Sequence, residues 1–169
     1  MAKKMVTRTE GRELIMERVF DAPRDLVFQA FTKEEHLKQW WGPKGWSLTY
    51  CDLDFRPDGV WHYCMKCVDE SQGDFFGMES WGKAVYAEIV EGEKIVYTDY
   101  FSDAEGSINT DMPAATVTMI FLEQGGKTKL INRSEYPTIE ALQQVIDMGV
   151  EEGTSLTFDC LDEYLEATR

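Results

Sequence analysis

Trp61-His62-Tyr63-Cys64-Met65-Lys66-Cys67, or WHYCMKC, has two readings that lead to different proteins. As a His/Cys cluster it would be a metal or redox centre. As a β-strand it would be the wall of a container. A strand sends alternate side chains to opposite faces. Trp61, Tyr63, Met65 and Cys67 then share one face, and His62, Cys64 and Lys66 share the other. Cys67 points away from His62 and Cys64 unless a bulge intervenes. Structural zinc commonly takes four ligands from two separated pairs. Cys51 and Cys160 stand alone, and His36, the other histidine, falls on a predicted helix. A Cys-x-x-Cys redox pair works at a helix N-terminus, where the dipole lowers the thiol pKa. The stretch therefore reads as a barrel strand, and the expectation is no metal and no cofactor.

The neighbouring segments fit that strand. Residues 46–55 precede it across the turn Arg56-Pro57-Asp58-Gly59, so 46–55 and 60–68 read as a hairpin. Further strands are expected over 76–90, 94–101, 115–123 and 128–135, with turns at Glu91-Gly92-Glu93 and Gly125-Gly126. Residues 12–20 form a first strand. Two short helices follow. The first opens near Asp21 and Pro23, the second at a capping-box pattern, Thr32 to Glu35, and Trp41-Gly42-Pro43 ends it. Thr138 opens one long helix to about Leu165. On it Leu142, Ile146, Gly149, Gly153, Leu156, Cys160 and Tyr164 share a face. Two glycines there cost about 1 kcal/mol each relative to alanine. Close packing on the sheet is the preferred explanation, and room for a ligand the other. Sequential hairpins make an antiparallel sheet of about seven strands, and the terminal helix must cover one of its faces. The class is α+β.

Composition narrows the function. The 169 residues suit a single domain over 1–169, with its core at about 12–166. Five Trp, seven Tyr and nine Phe offer a large contact surface for a core or an apolar ligand. A net charge of -14 argues against nucleic acid, whose phosphates need Lys and Arg. Lys3, Lys4 and Arg8 read as a solvated basic tail. No run approaches a membrane span, and the first residues carry no apolar signal core. A cytoplasmic protein with reduced cysteines is expected.

Several motifs carry a family resemblance: Arg18-Val19-Phe20-Asp21-Ala22-Pro23, Val27-Phe28-Gln29-Ala30-Phe31-Thr32, His36-Leu37-Lys38-Gln39-Trp40-Trp41-Gly42-Pro43 and Asp52-Leu53-Asp54-Phe55-Arg56-Pro57-Asp58-Gly59-Val60-Trp61. Met148-Gly149 and Gly153 add to them. Through these the chain resembles the Activator of Heat Shock Protein 90 ATPase homologue (AHSA) family, stand-alone bacterial form. That family lies in the START-like, SRPBCC, birch-pollen-allergen-like superfamily. The family often has Gly-Gly at Asp58-Gly59 and a Trp where this chain has Thr154. The resemblance implies a helix-grip fold with an internal cavity between sheet and long helix. It fixes no ligand, since superfamily members bind lipids, sterols and polyketides and a few are enzymes. Activation of the heat-shock ATPase involves a further domain, for which this chain has no room.

Strand alternation then names a cavity wall: Trp61, Tyr63, Met65, Trp81, Tyr97, Val117, Met119 and Phe121, with Leu142, Val145, Ile146 and Gly149 from the helix. Trp40 and Trp41 are mouth residues, although Trp40 also suits an anchor for the short helices. His62, Glu79 and Asp99 are the polar residues that a ligand or an acid–base step would use. No nucleophile motif or phosphate-cradling loop is present. Three functions follow. The first is binding of a small apolar molecule, lipid or polyketide-like. The second is a cyclase, isomerase or hydrolase in the same cavity. The third is a chaperone-partner or interaction module. An edge strand or the long helix could mediate a homodimer, though nothing in the sequence specifies one.

Overall fold

The computed structural model describes residues 5–42 and 44–168. Lys3 and Lys4 of the expected tail, and Pro43, lie outside the described residues. Among the described residues eight strands form one curved antiparallel sheet: β1 Val6–Glu10, β2 Glu13–Phe20, β3 Trp46–Leu53, β4 Val60–Cys67, β5 Glu79–Val90, β6 Lys94–Phe101, β7 Ala115–Gln124 and β8 Lys127–Glu135. Their order is β1-β2-β8-β7-β6-β5-β4-β3. Hairpins put neighbours in sequence side by side, and the sheet is completed by β2 pairing with β8. The extra strand is β1. Gly11, at φ 59°, turns it back onto β2. Arg8 is therefore no loose tail residue: it pairs with Glu10 and with Glu17 of β2.

Register shifts at Leu48/Tyr50 in β3 and Tyr86/Glu88 in β5 mark bulges, which bend a sheet. Among the described residues four α-helices accompany the sheet: α1 Arg24–Thr32, α2 Glu34–Trp40, α3 Ile139–Asp147 and α4 Val150–Thr168. A short 3-10 helix, Glu70–Phe75, replaces the expected loop after β4. α1 begins at Pro23, whose carbonyl accepts from the Leu26 and Val27 amides. The expected capping box is absent. Thr32 closes α1, its hydroxyl donating to the Gln29 carbonyl, and Lys33 stands at the start of α2. Thr138 does cap α3, accepting from the Ala141 amide at 2.9 Å.

The expected long helix is two helices. Gly149 adopts φ 90°, a left-handed conformation suited to glycine, and the chain turns there before α4 begins. The break rotates the second half, so the buried face of α4 is Thr157, Phe158, Leu161 and Leu165, while Leu156 is exposed. The face read through Leu156, Cys160 and Tyr164 is thus off by about one residue.

Between sheet and helices lies the core, with Leu14, Phe20, Val27, Leu37, Phe121, Leu130 and Leu161 almost wholly buried. Arg18 is buried among them at 2% exposure. Its guanidinium meets Asp159 at 2.7 Å and Asp162 at 3.1 Å on α4, and donates to the Ser155 carbonyl. It lies over the Phe20 ring. This joins β2 to α4 by charge as well as by apolar contact.

Candidate functional site

Register decides which side chains face the helices. Residues opposite one another across paired strands share a face. Tyr63 pairs with Gly82, Gly82 with Phe101, Ala84 with Asp99, and Asp99 with Ala115. Tyr97 pairs with Val117, which pairs with Ser134. These residues line the concave face. Gly82 is required there: a Cβ would lie 2.5 Å from the Tyr63 ring and hydroxyl.

Above this face is a cavity of about 400 Å³. Its floor is Tyr63, Met65, Tyr97, Asp99, Val117, Met119, Asn132 and Ser134, with Met16 and Tyr136 beside them. Its roof is Val145 of α3, the Met148–Val150 break, and Gly153, Thr154, Thr157 and Phe158 of α4. Trp41 stands at one end, packed edge-on against Trp61 and Tyr63. A Cβ on Gly149 or Gly153 would meet no atom within 4 Å. Close packing is therefore not why these glycines are present. Gly149 serves the positive φ, and Gly153 leaves open space at the cavity.

Of the residues singled out in the sequence, Tyr63, Met65, Tyr97, Val117, Met119, Val145, Gly149, Trp41 and Asp99 border the cavity. Trp81 borders it as well, but it pairs with Cys64 on the opposite face. Its ring lies 5.1 Å from His62 and 5.5 Å from Tyr50. The inward positions of β5 are Gly82, Ala84 and Tyr86, small where Tyr63 and Asp99 need room. Trp61, Phe121 and Leu142 are core residues, Ile146 packs against the core, and none of the four borders the cavity. Trp40 is buried and donates its indole N–H to the Ala30 carbonyl at 3.0 Å, an anchor rather than a mouth. His62 faces outward, with Nε2 2.9 Å from the Asp103 carbonyl. Glu79 is exposed beside the Trp81 indole.

Met16, Asn132, Ser134, Tyr136, Thr157 and Phe158 escaped the sequence reading. Alternation along 12–20 and 128–135 carried the signal for Met16, Asn132 and Ser134. The helix break hid it for Thr157 and Phe158.

Asp99 is the one carboxylate among the described residues lining the cavity. Burial pushes its pKa up to about 7, opposed by a hydrogen bond from the Tyr63 hydroxyl at 3.5 Å. Tyr63 and Tyr97 are raised well above the usual phenol range, by burial first and then by the Asp99 charge. Two further polar atoms on lining residues, Trp41 Nε1 and Asn132 Oδ1, are buried without a partner.

The cysteines do not converge. Cys64 lies on the convex face and Cys67 on the concave one, and no cysteine is in a disulfide. Among the described residues no three His, Cys, Asp or Glu side chains gather as a metal-holding group. Burial raises the Cys51, Cys64 and Cys160 thiols, the opposite of an activated thiolate. No described helix is long and apolar enough to cross a membrane.

Comparison with known proteins agrees with this architecture. A model of the family described as Activator of Hsp90 ATPase homolog 1-like protein matches residues 21–166. No curated protein matches. The crystal structure of protein Ms6760 from Mycobacterium smegmatis is similar at 29% identity and TM-score 0.84, covering 95% of this chain and 96% of that one. A solution structure from Staphylococcus epidermidis is 33% identical with TM-score 0.81, covering 98% and 96%. One from Arthrobacter aurescens, at 22% identity, shares the fold with TM-score 0.85 over 99% and 93%.

Proposed function

The chain belongs to the Activator of Hsp90 ATPase homolog 1-like family, and from that premise we propose that it is a single START-like domain binding a small, mainly apolar molecule between its sheet and its last two helices. One observation carries the reading: a cavity of about 400 Å³ walled by Tyr63, Met65, Tyr97, Val117, Met119 and Phe158, with Gly153 on its lining and open space where a Cβ there would go. Pockets for compact organic ligands fall in this size range and are mostly apolar, with a few polar groups that orient the ligand. Methionine and aromatic walls adapt to irregular apolar shapes. Native mass spectrometry of freshly purified protein, before and after organic extraction, tests it. A reproducible small-molecule adduct that leaves on extraction is expected. A clean unliganded mass, with no thermal stabilisation by a panel of apolar compounds, would overturn the reading.

A second reading is an interaction module, as the family description suggests. Its support is the exposure of Val68, Phe75, Phe76 and Met78 around the β4–β5 connection. It requires that Phe75→Ser with Phe76→Ser abolish capture of a chaperone ATPase while leaving cavity binding intact. Equal capture by the variant would sink it.

A further inference from the structure

Asp99 is the one carboxylate among the described residues lining a cavity whose other polar groups, Asn132, Ser134, Thr154, Thr157 and the tyrosine hydroxyls among them, are neutral. Its strand neighbours, Ala84 and Ala115, are small and carry no side-chain donor. An ionised carboxylate offers about four acceptor sites. The Tyr63 hydroxyl, at 3.5 Å, fills one of them weakly. Among the described residues no Lys, Arg or His side chain forms an ion pair with it. The other titratable groups set around it are phenols: Tyr86, Tyr97 and Tyr136. Unpaired charge in an apolar site is costly, and the cost is offset when a donor-rich partner of opposite charge arrives.

We propose that the molecule held in this cavity carries an amine, and that its ammonium group pairs with Asp99 while its apolar body lies against Val117, Met119 and Phe158. The inference rests on the ligand-binding reading above and narrows it to a chemical class. An alkylammonium brings up to three N–H donors to a carboxylate that has one weak donor. The rings of Tyr63, Tyr97 and Trp41 border the same space, and aromatic faces attract cations when water is excluded. A net charge of -14 draws cations toward the protein and repels anions. A free fatty acid fits the apolar walls but would set a second carboxylate against Asp99. Of the lipid-like molecules the fold accommodates, acids are therefore disfavoured. The held ligand has an apolar body and a cationic head.

Three probes sharing one apolar body separate the ideas: naphthylethylamine, naphthylethanol and naphthylacetic acid. Each is titrated calorimetrically into extracted protein at about pH 8, where the carboxylate and an alkylammonium are both ionised. The amine is expected to bind at least about tenfold more tightly than the alcohol, as a charge-assisted hydrogen bond would give, and the acid most weakly. In Asp99→Asn, checked for native near-ultraviolet circular dichroism, the preference for the amine over the alcohol disappears. Equal binding of amine and alcohol by the wild-type protein would overturn the amine inference and leave the cavity reading standing. So would an amine preference that survives in Asp99→Asn. Binding of none of the three probes would sink both.

Discussion

Asp99 works against the fold that holds it. In the folded protein its carboxyl keeps its proton up to about pH 7, whereas in the unfolded chain it lets go near pH 4 or so. Between those values the native state binds the extra proton, so stability falls as pH rises, and above about pH 7 the deficit is complete. Below about pH 4 both states are protonated and the group contributes nothing. Asp99→Asn removes this component. The unfolding free energy of the variant minus that of the wild type should grow from about pH 4 to about pH 7 and then level off. The plateau should be on the order of 2 kcal/mol, less than the full shift implies because Asp99 is half-buried rather than sealed from solvent. Urea denaturation of both proteins across that range measures it, and a flat difference would refute the assignment. In the sequence Asp99 and Glu79 stood as equals, each a carboxylate in a strand of uncertain register. The distinction is set by partners on other strands: Asp99 lies between Ala84 and Ala115 on the concave face, and a bulge in β5 alters the count between them. Alternation within one strand tells which residues go together, but not which way the set faces.

At the scale of elements, most strands were legible because hairpin turns punctuate them and apolar residues alternate between the turns. The helices were less so. A 3.6-residue pattern runs through Met148-Gly149 without an obvious interruption, and only the φ of 90° at Gly149 reveals the break. The break puts Met148, Gly149 and Val150 at the cavity, so the misread junction is also part of the proposed site. Arg18 was missed for a related reason. A lone arginine inside an alternating strand looks solvent-facing until a helix supplies its counter-charges. Here α4 brings Asp159 and Asp162 to it. Arg18 is far more buried than either aspartate, so losing the acids harms the fold more than losing the base. Asp159→Asn with Asp162→Asn strands a buried guanidinium and should cost about 3–5 kcal/mol. Arg18→Met, which fills the space with an apolar chain and lets both aspartates reach water, should cost clearly less. Chemical denaturation of the two variants gives the ranking, and a larger loss for Arg18→Met would show that packing of the guanidinium stem, not charge, ties β2 to α4.

For the molecule as a whole, the open sheet and its helices enclose more space than their own side chains fill. Each lining atom without a packing neighbour gives up contact energy. Gly153 allows the tension between stability and binding to be tested at one position. It lies inside α4, donates its amide to the Gly149 carbonyl at 3.0 Å, and has open space where a Cβ would go. Gly153→Leu should gain about 1 kcal/mol from helix propensity alone, plus the burial of an apolar side chain. A gain of that size raises Tm by about 2–4 °C in a chain of this length. The same leucine would occupy a substantial part of the cavity and should weaken any ligand held there by at least about tenfold, a loss that repacking of the flexible methionines can only partly recover. Calorimetric melting and ligand titration on one preparation measure both. Higher Tm with lost binding would identify the void as the functional feature, kept at a cost to the fold. Higher Tm with unchanged binding would move the ligand elsewhere on the protein. A lower Tm would mean that the space above Gly153 is already needed by its neighbours, and that the cavity is tighter in solution than its geometry implies.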